Sequence, residues 1–394
     1  MSSNIGPEAQ AAYNEYLNAN TIEEKIQKLE KYLSLVPKHK ATENIVALNK
    51  TRLAKLRREL EKQKKRESAQ RAVVSPFSIK KEGTQLILIS DYYTPGAGKT
   101  SLLHYLTGAA KDKIGRFTAT PEIGIYKDIG VRFQIVDMPS IMENAHKGVG
   151  NGKEILAQLR ATDLLCICVD LTRNLENQME LILEELRKAE IRINEPPPPI
   201  KIQKTGANKI QVFFLTNEAK EKIELTDQIK KIVSESGIRN CIVKIYDNIN
   251  LRQLSDALDP SVVYKKAIIF GTKGDLPHTQ EKFKELKTKY SDEFPLIFGV
   301  SVAKEEFPDD FGKKVIKFLG KIKIYTMTNG KVSDKPLLVD KGGKVEDVAR
   351  KIHKSFVEKF EFAVVMREDA RIKRKRVGLD YPIEDNDIIE IHIN

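Results

Sequence analysis

The stretch TQLILISDYYTPGAGKTSLLHYL, residues 84–106, constrains the fold of this chain more than any other. Leu86–Ile89 reads as a buried strand, GAGK as a glycine-bearing turn, and Ser101-Leu102-Leu103 as the first turn of a helix. Backbone amides at such a strand–loop–helix junction aim inward with the positive end of the helix dipole behind them, which suits phosphate. Gly96 and Gly98 let the backbone curl without a Cβ collision. Lys99 is placed to give a point charge to the terminal phosphates, and the Thr100 hydroxyl to ligate Mg2+. Ala97 and Ser101 complete the run whose amides would face the phosphates. One position departs from the pattern. Tyr93 stands where such loops begin with glycine, so the turn out of the strand is expected to be rerouted, with binding retained in altered geometry.

The same rhythm of short apolar runs and helical patterns continues through VRFQIVDM, DLLCICVD, KKAIIFGT and FPLIFGVS. Strands alternating with helices predict an α/β fold, with a mostly parallel sheet covered on both faces. Four consecutive prolines, Pro196–Pro199, cannot lie in a helix or a central strand and predict a rigid extended connection. The rhythm returns near Val262, so residues 175–262 are expected to form a small α/β insert within a domain spanning 81–320. Residues 321–394 read as a compact unit of short strands and one helix. Residues 1–80 read as a loose lead-in to residue 20, then a helical hairpin. Its first helix opens at the capping box Thr21-Ile22-Glu23-Glu24 and ends at Pro37; the second runs from Thr42 to about Ser68.

The net charge is +12, which favours polyanions such as RNA but also occurs on proteins that are merely soluble. Residues 50–66 hold nine Lys or Arg against two Glu, and RIKRKR occupies 371–376. Arg57, Arg58, Lys64 and Lys65 are candidate RNA contacts, as are Arg371, Lys373, Arg374, Lys375 and Arg376 on an expected loop; a solvated helix face is the competing reading of the hairpin. No run of about 18 apolar residues suits a membrane span, and the opening residues lack a secretion-signal pattern. Cys166, Cys168 and Cys241 are expected as buried thiols, and a cytoplasmic location follows as an expectation. The six histidines are scattered; His146 is open to a catalytic or a structural role.

Further motifs follow in order. Asp137 ends the apolar run Phe133–Val136, where a nucleotide hydrolase places the carboxylate that holds magnesium through water. In DMPS the fourth position is Ser140 rather than glycine, which keeps an amide for the γ-phosphate but loses glycine's freedom in φ; Ile141 follows where a glutamine would orient water. Thr118 of FTATP would reach magnesium from a mobile loop, or is a plain loop residue. In TKGD, Asp275 offers one carboxylate to the two donors of a guanine edge, Lys273 packs over the base, and Thr272 replaces the usual asparagine. Ser301 and Val302 of SVA would present amides to guanine O6. TPGAGKT is equally compatible with an ATPase loop, an alternative that Asp275 opposes.

The ordered set GAGKT, FTATP, DMPS, TKGD and SVA resembles a translation-factor-class GTPase, and DMPSIMENAHKGVGNG is similar to the DLPGIIEGAxxGxGxG segment of the Obg-like GTPases. Within them the chain resembles the branch of developmentally regulated GTP-binding proteins (DRG), archaeal relatives included. KATENIVALNKTRLAKLRREL resembles that branch's basic hairpin, EIRINEPPPPIKI the start of its inserted domain, and the segment from KIYTMTNG its C-terminal TGS domain, a β-grasp module closed by VGLDYPIEDNDIIEI. The resemblance implies a P-loop GTPase fold, GTP or GDP and Mg2+ as ligands, and a slow hydrolase acting on ribosomes or RNA under a regulatory protein, with neither membrane nor DNA as partner. Lys99 and Thr118 would then carry the catalysis, with Thr100, Thr118 and Asp137 as the metal set. An apolar residue at Ile141 is normal for the branch; Tyr93, Ser140 and Thr272 are not, so a degenerate GTPase acting as an RNA-binding scaffold is the rival expectation.

Overall fold

The computed structural model describes residues 6–19, 21–37, 76–206, 209–367 and 373–394, together with 42, 45–46, 48–53, 55–56 and 59–60. Two compact units, 1–75 and 76–394, divide the chain. In the first, residues expected to be a loose lead-in instead form helix α1 (Pro7–Asn18), which packs on α2 (Ile22–Leu35). Ala9, Ala12, Leu29, Tyr32 and Val36 are buried between them, with Ile45, Val46, Leu53 and Leu56 against the cluster. Proline at the first helical position starts α1, and the Thr21–Glu24 capping box starts α2, with both reciprocal hydrogen bonds formed. The described residues between 45 and 60 are helical. The candidate RNA contacts Arg57, Arg58, Lys64 and Lys65 lie outside the described residues.

The second unit begins with β1 (Thr84–Ile89), α3 (Lys99–Thr107), β2 (Glu122–Asp128), β3 (Val131–Asp137), α4 (Gly152–Ala161), β4 (Leu164–Asp170), α5 (Leu175–Lys188) and β5 (Ile191–Ile193). After β6 (Ile200–Lys204), β7 (Ile210–Phe214), α6 (Thr226–Glu235), β8 (Cys241–Ile245) and α7 (Leu251–Leu258) come β9 (Val263–Thr272), α8 (Thr279–Tyr290), β10 (Ile297–Gly299) and α9 (Phe311–Leu319). The main sheet has the order β10-β9-β4-β1-β3-β2, with β5 paired to β9; every pairing is parallel except β2 with β3. Alternation along each strand splits its side chains between two cores. Ile87, Ile89, Leu165, Ile167 and Ile269 face one, and Leu86, Leu88, Cys166, Cys168 and Phe270 the other. All three cysteines are buried free thiols, and desolvation pushes Cys168 up to about 12.

The insert is smaller than the sequence suggests. Met179, Ile182 and Leu186 of α5, and Ile191 of β5, belong to the main-sheet core, so residues 175–193 are part of the larger layer. The separate sheet is β6-β8-β7, packed on α6 and α7 around Val233, Val243 and Leu254. The four prolines carry neither helix nor strand. A mostly buried ion pair joins the two layers: Arg192 of β5 donates from Nε and Nη2 to the two oxygens of Asp256 on α7, at 3.0 and 2.8 Å.

The C-terminal sheet comprises β11 (Lys321–Thr328), β12 (Lys331–Val332), β13 (Leu337–Asp340), β14 (Phe360–Met366), β15 (Arg374–Val377) and β16 (Ile388–Ile393), covered on one face by α10 (Val345–Ile352). Its order is β12-β11-β16-β14-β15, with β13 on β11. Arg374, Lys375 and Arg376 therefore lie on an edge strand rather than a loop, while Arg371 lies outside the described residues. Lys373 and all three of these side chains are exposed; Arg374 faces Glu390 at 3.5 Å, Arg376 lies over the Phe362 ring at 3.6 Å, and Lys375 lies over Tyr381 at 5.1 Å.

The Arg192 pair generates a prediction. Asp256→Ala leaves a mostly buried guanidinium without its main partner and should cost about 3 kcal/mol in urea unfolding, the low end for such pairs. The Arg192 hydrogen bonds, opposed by desolvation, hold the Asp256 carboxyl below its ordinary value of 3.8. Its contribution is thus complete above that value and is lost as pH falls through the lowered one, so the gap between variant and parent should close in acid.

Candidate nucleotide-binding site

The residues leading into the phosphate loop are stitched to the chain beyond β3. Ile141 N–H donates to Ser90 O at 2.8 Å, Tyr92 N–H donates to Ile141 O at 2.9 Å, and Asp91 and Ile141 form a parallel bridge. Strand pairing thus continues past Ile89, and this replaces the tight glycine turn. Tyr93 keeps φ outside the left-handed region, the residue is 65% exposed, and its ring meets Tyr92 edge-on at 5.8 Å. It does not plug the loop. Gly96 (φ +74°) and Gly98 (φ +85°) supply the left-handed conformations, and a cavity of about 590 Å³ opens over Pro95–Ser101, bounded by Tyr92, Tyr93, Phe117, Thr118 and Ser140.

Lys99, 7% exposed, donates to Ser90 Oγ at 2.7 Å and Ser140 Oγ at 3.1 Å, so two hydroxyls occupy the ammonium where phosphate oxygens would. The Ser140 N–H donates to no described group. Thr100 Oγ1 donates to Asp137 Oδ2 at 2.5 Å, and Thr118 Oγ1 lies 3.3 Å from Thr100 Oγ1 and 3.5 Å from the same carboxylate oxygen. The structure brings all three expected metal residues together. Burial pushes the Asp137 carboxyl up, while Lys99, Thr100 and Thr118 pull it down, and its Oδ1 is buried without a partner. An orphaned carboxylate oxygen beside two converging hydroxyls fits a small divalent cation. Ile141 is fully buried, so its side chain faces the core and not the phosphates.

A second cavity, about 310 Å³, adjoins the first and shares Gly96, Gly98 and Ser101 with it. Thr272, Lys273, Asp275, Val302 and Ala303 line the far side. Thr272 Oγ1 lies 2.9 Å from Ala97 O and 3.1 Å from Val169 O, so the threonine ties the loop to β4. Lys273, at φ +61°, reaches Asp170 at 2.6 Å. Asp275 accepts from Ser301 Oγ at 2.7 Å, and that bond lowers its pKa, keeping the carboxylate ionised. Ser301 thus orients the carboxylate through its side chain, a role its expected amide contact did not suggest.

Several residues that shape the candidate site carry no local signal. Ser90 and Tyr92 lie in the irregular approach to the loop, and Asp170 merely ends an apolar run. Glu185 sits among the charges of ELILEELRK, yet it is 2% exposed and accepts from Asn144 N–H at 2.9 Å, His146 N–H at 3.0 Å and His146 Nδ1 at 2.7 Å. His146 is therefore bound into the segment after Asp137. Among the described residues no cluster of three His, Cys, Asp or Glu could hold a metal, and no helix is long and apolar enough to cross a membrane.

A glycine loop at the end of a parallel strand, a carboxylate beside its helix and a TKGD turn on the adjoining cavity define a P-loop GTPase, here carrying a β-grasp domain. Residues 94–200 match the model of the 50S ribosome-binding GTPase, 210–320 the C-terminal region of that domain, and 322–393 the TGS domain. A GTP-binding protein of Methanocaldococcus jannaschii is 32% identical over 94% of this chain and 93% of its own length. Developmentally-regulated GTP-binding protein 1 of Xenopus laevis is 29% identical over 93% and 98%, and Ribosome-interacting GTPase 1 of Saccharomyces cerevisiae 29% over 94% and 99%. The chain belongs to the Obg-like GTPases, in the branch of developmentally regulated GTP-binding proteins.

Glu185→Gln places an amide NH2 against at least one N–H that the carboxylate now accepts. Leaving a buried donor unmatched costs about 1–3 kcal/mol, so hydrogen exchange at Asn144 and His146 should accelerate roughly tenfold or more while β4 amides keep their protection.

Proposed function

We propose that the chain is a GTP-binding switch protein with slow, magnesium-dependent GTP hydrolysis that acts on ribosomes or RNA. The observation that carries this reading is the pair of adjoining cavities, one over the phosphate loop and one bearing Asp275. The amides of the loop and of Ser140 receive phosphate oxygens, Lys99 exchanges its two serine partners for them, and Asp275 accepts both donors of the guanine edge. Thr100, Thr118 and Asp137 hold Mg2+, which when bound neutralises charge on the terminal phosphates. In-line attack of water follows, stabilised by Lys99 and the amides. Ile141 offers nothing to orient that water, so a rate of roughly 10⁻⁴ to 10⁻² per second is expected without a helper. The anchored Thr272 and the free Ser140 amide favour nucleotide binding over a bare scaffold.

Residues 81–320 then serve as the G domain, with 1–80 and the C-terminal module as docking parts in the cytoplasm. The name of the yeast relative, Ribosome-interacting GTPase 1, supports a ribosomal partner, and Lys373, Arg374, Lys375 and Arg376 supply an exposed cationic edge for phosphates.

Asp275→Asn tests the reading: it should lower preference for GTP over xanthosine triphosphate roughly 10- to 100-fold, the scale of hydrogen bonds to a charged group. An unchanged ratio in competition titrations argues against guanine recognition here. RNA association should fall steeply with salt, and replacing Arg374 and Arg376 with Ala should reduce the log–log slope by about 1.4 for single strands. Salt-insensitive binding would point to apolar protein contacts.

A further inference from the structure

The loop carrying Thr118 has few anchors of its own. Residues 114–121 form no helix or strand, Ile114 is 41% exposed and Phe117 70% exposed. Yet Thr118 already stands beside Thr100 and Asp137. The ring that meets Phe117 is Tyr92, edge-on with centroids 6.0 Å apart. Tyr92 is itself fixed from behind, because its N–H donates to Ile141 O while Ile141 N–H donates to Ser90 O, and the Ile141 side chain is buried in the main core. One residue thus touches the phosphate loop's entrance, the segment after Asp137 and the Thr118 loop. Tyr93, one residue on, also borders the phosphate-loop cavity, is 65% exposed and, among the described residues, meets only the Tyr92 ring. The extra strand pairing that compensates for the missing first glycine is what puts Tyr92 in this place.

Resting on the GTP-binding reading above, we propose that Tyr92 is a positioning residue: it holds the Thr118 loop closed over the magnesium corner and couples it to the segment beginning at Ile141. The coupling is selective for the nucleotide state. A contact that keeps Thr118 at the magnesium corner strengthens binding of a triphosphate, which uses that corner, and is indifferent to GDP, which does not need the loop closed. An edge-to-face pair of this geometry is worth a two- to tenfold change in an equilibrium.

The test compares Tyr92→Ala, Tyr92→Phe and Tyr93→Ala with the parent full-length protein. Calorimetry with GDP and with a non-hydrolysable GTP analogue, in magnesium buffer, should show Tyr92→Ala losing two- to tenfold in affinity for the analogue alone. Tyr92→Phe should behave as the parent, because the ring and not the hydroxyl makes the contact. Tyr93→Ala, at the cavity wall but without a contact to Phe117, should shift both nucleotides alike if it shifts either, and leave the cleavage rate unchanged. In the nucleotide-free proteins, tryptic cleavage after Arg116 should be faster for Tyr92→Ala only, at an unchanged melting temperature. Equal losses for both nucleotides, no change in either readout, or the same effect from Tyr93→Ala would overturn the proposal. Failure of the parent to bind either nucleotide would instead remove the GTP-binding reading beneath it, and the cleavage rates would still decide whether Tyr92 holds the loop.

Discussion

Two backbone hydrogen bonds, from Ile141 to Ser90 and from Tyr92 to Ile141, govern the geometry of the whole site. They extend the pairing of β1 and β3 beyond the point where the chain would otherwise turn sharply on a glycine. The phosphate loop is then launched from a fixed base, Ser140 is delivered beside Lys99, and Ile141 is drawn into the core. The same pairing explains how a bulky aromatic at position 93 coexists with an open cavity. Tyr93 borders that cavity and stays largely exposed, and the backbone there has no need of a left-handed turn.

The site is pre-formed but internally satisfied. Lys99 rests on two serine hydroxyls, Thr100 on Asp137, and Asp275 on Ser301. Each of these bonds lowers the cost of an otherwise unpaired buried or charged group, and each must be exchanged or shared when a nucleotide arrives. Asp137 Oδ1 and, at the approach to the loop, Asp91 Oδ1 are the exceptions, buried acceptors with nothing to accept. Helix α5 adds a second restraint through Glu185, which grips the far part of the same segment. Movement driven by nucleotide is therefore expected beyond both restraints, between Lys147 and the start of α4, and not at Ser140.

Much of this was legible in the residues themselves. The alternating apolar runs gave the parallel sheet, because strands buried on both faces must be apolar throughout. The spacing singled out Lys99, Asp137 and Asp275 as candidates, and Thr118 lies beside Thr100 and Asp137. What the residues did not disclose depends on tertiary pairing. Helix α1 buries its face through alanines, which leave a weak periodic signal. The amphipathic pattern of α5 is the same whichever sheet it covers, so its assignment to the insert was undecidable by period alone. Tyr92 and Glu185 act through partners 25 and about 40 residues away in the chain. Arg374–Arg376 read as a loop because charges are rare in strands, but an edge strand tolerates and even favours them.

The account stands on a phosphate loop that still binds and on a purine lodged beside it, and calorimetric titration tests both at once. In magnesium buffer the protein should take up one equivalent of GTP or GDP and give no comparable heat with ATP, and Lys99→Ala should abolish or severely weaken the binding. Heats for ATP matching those for GTP, or a Lys99→Ala protein that binds as well as its parent, would contradict it.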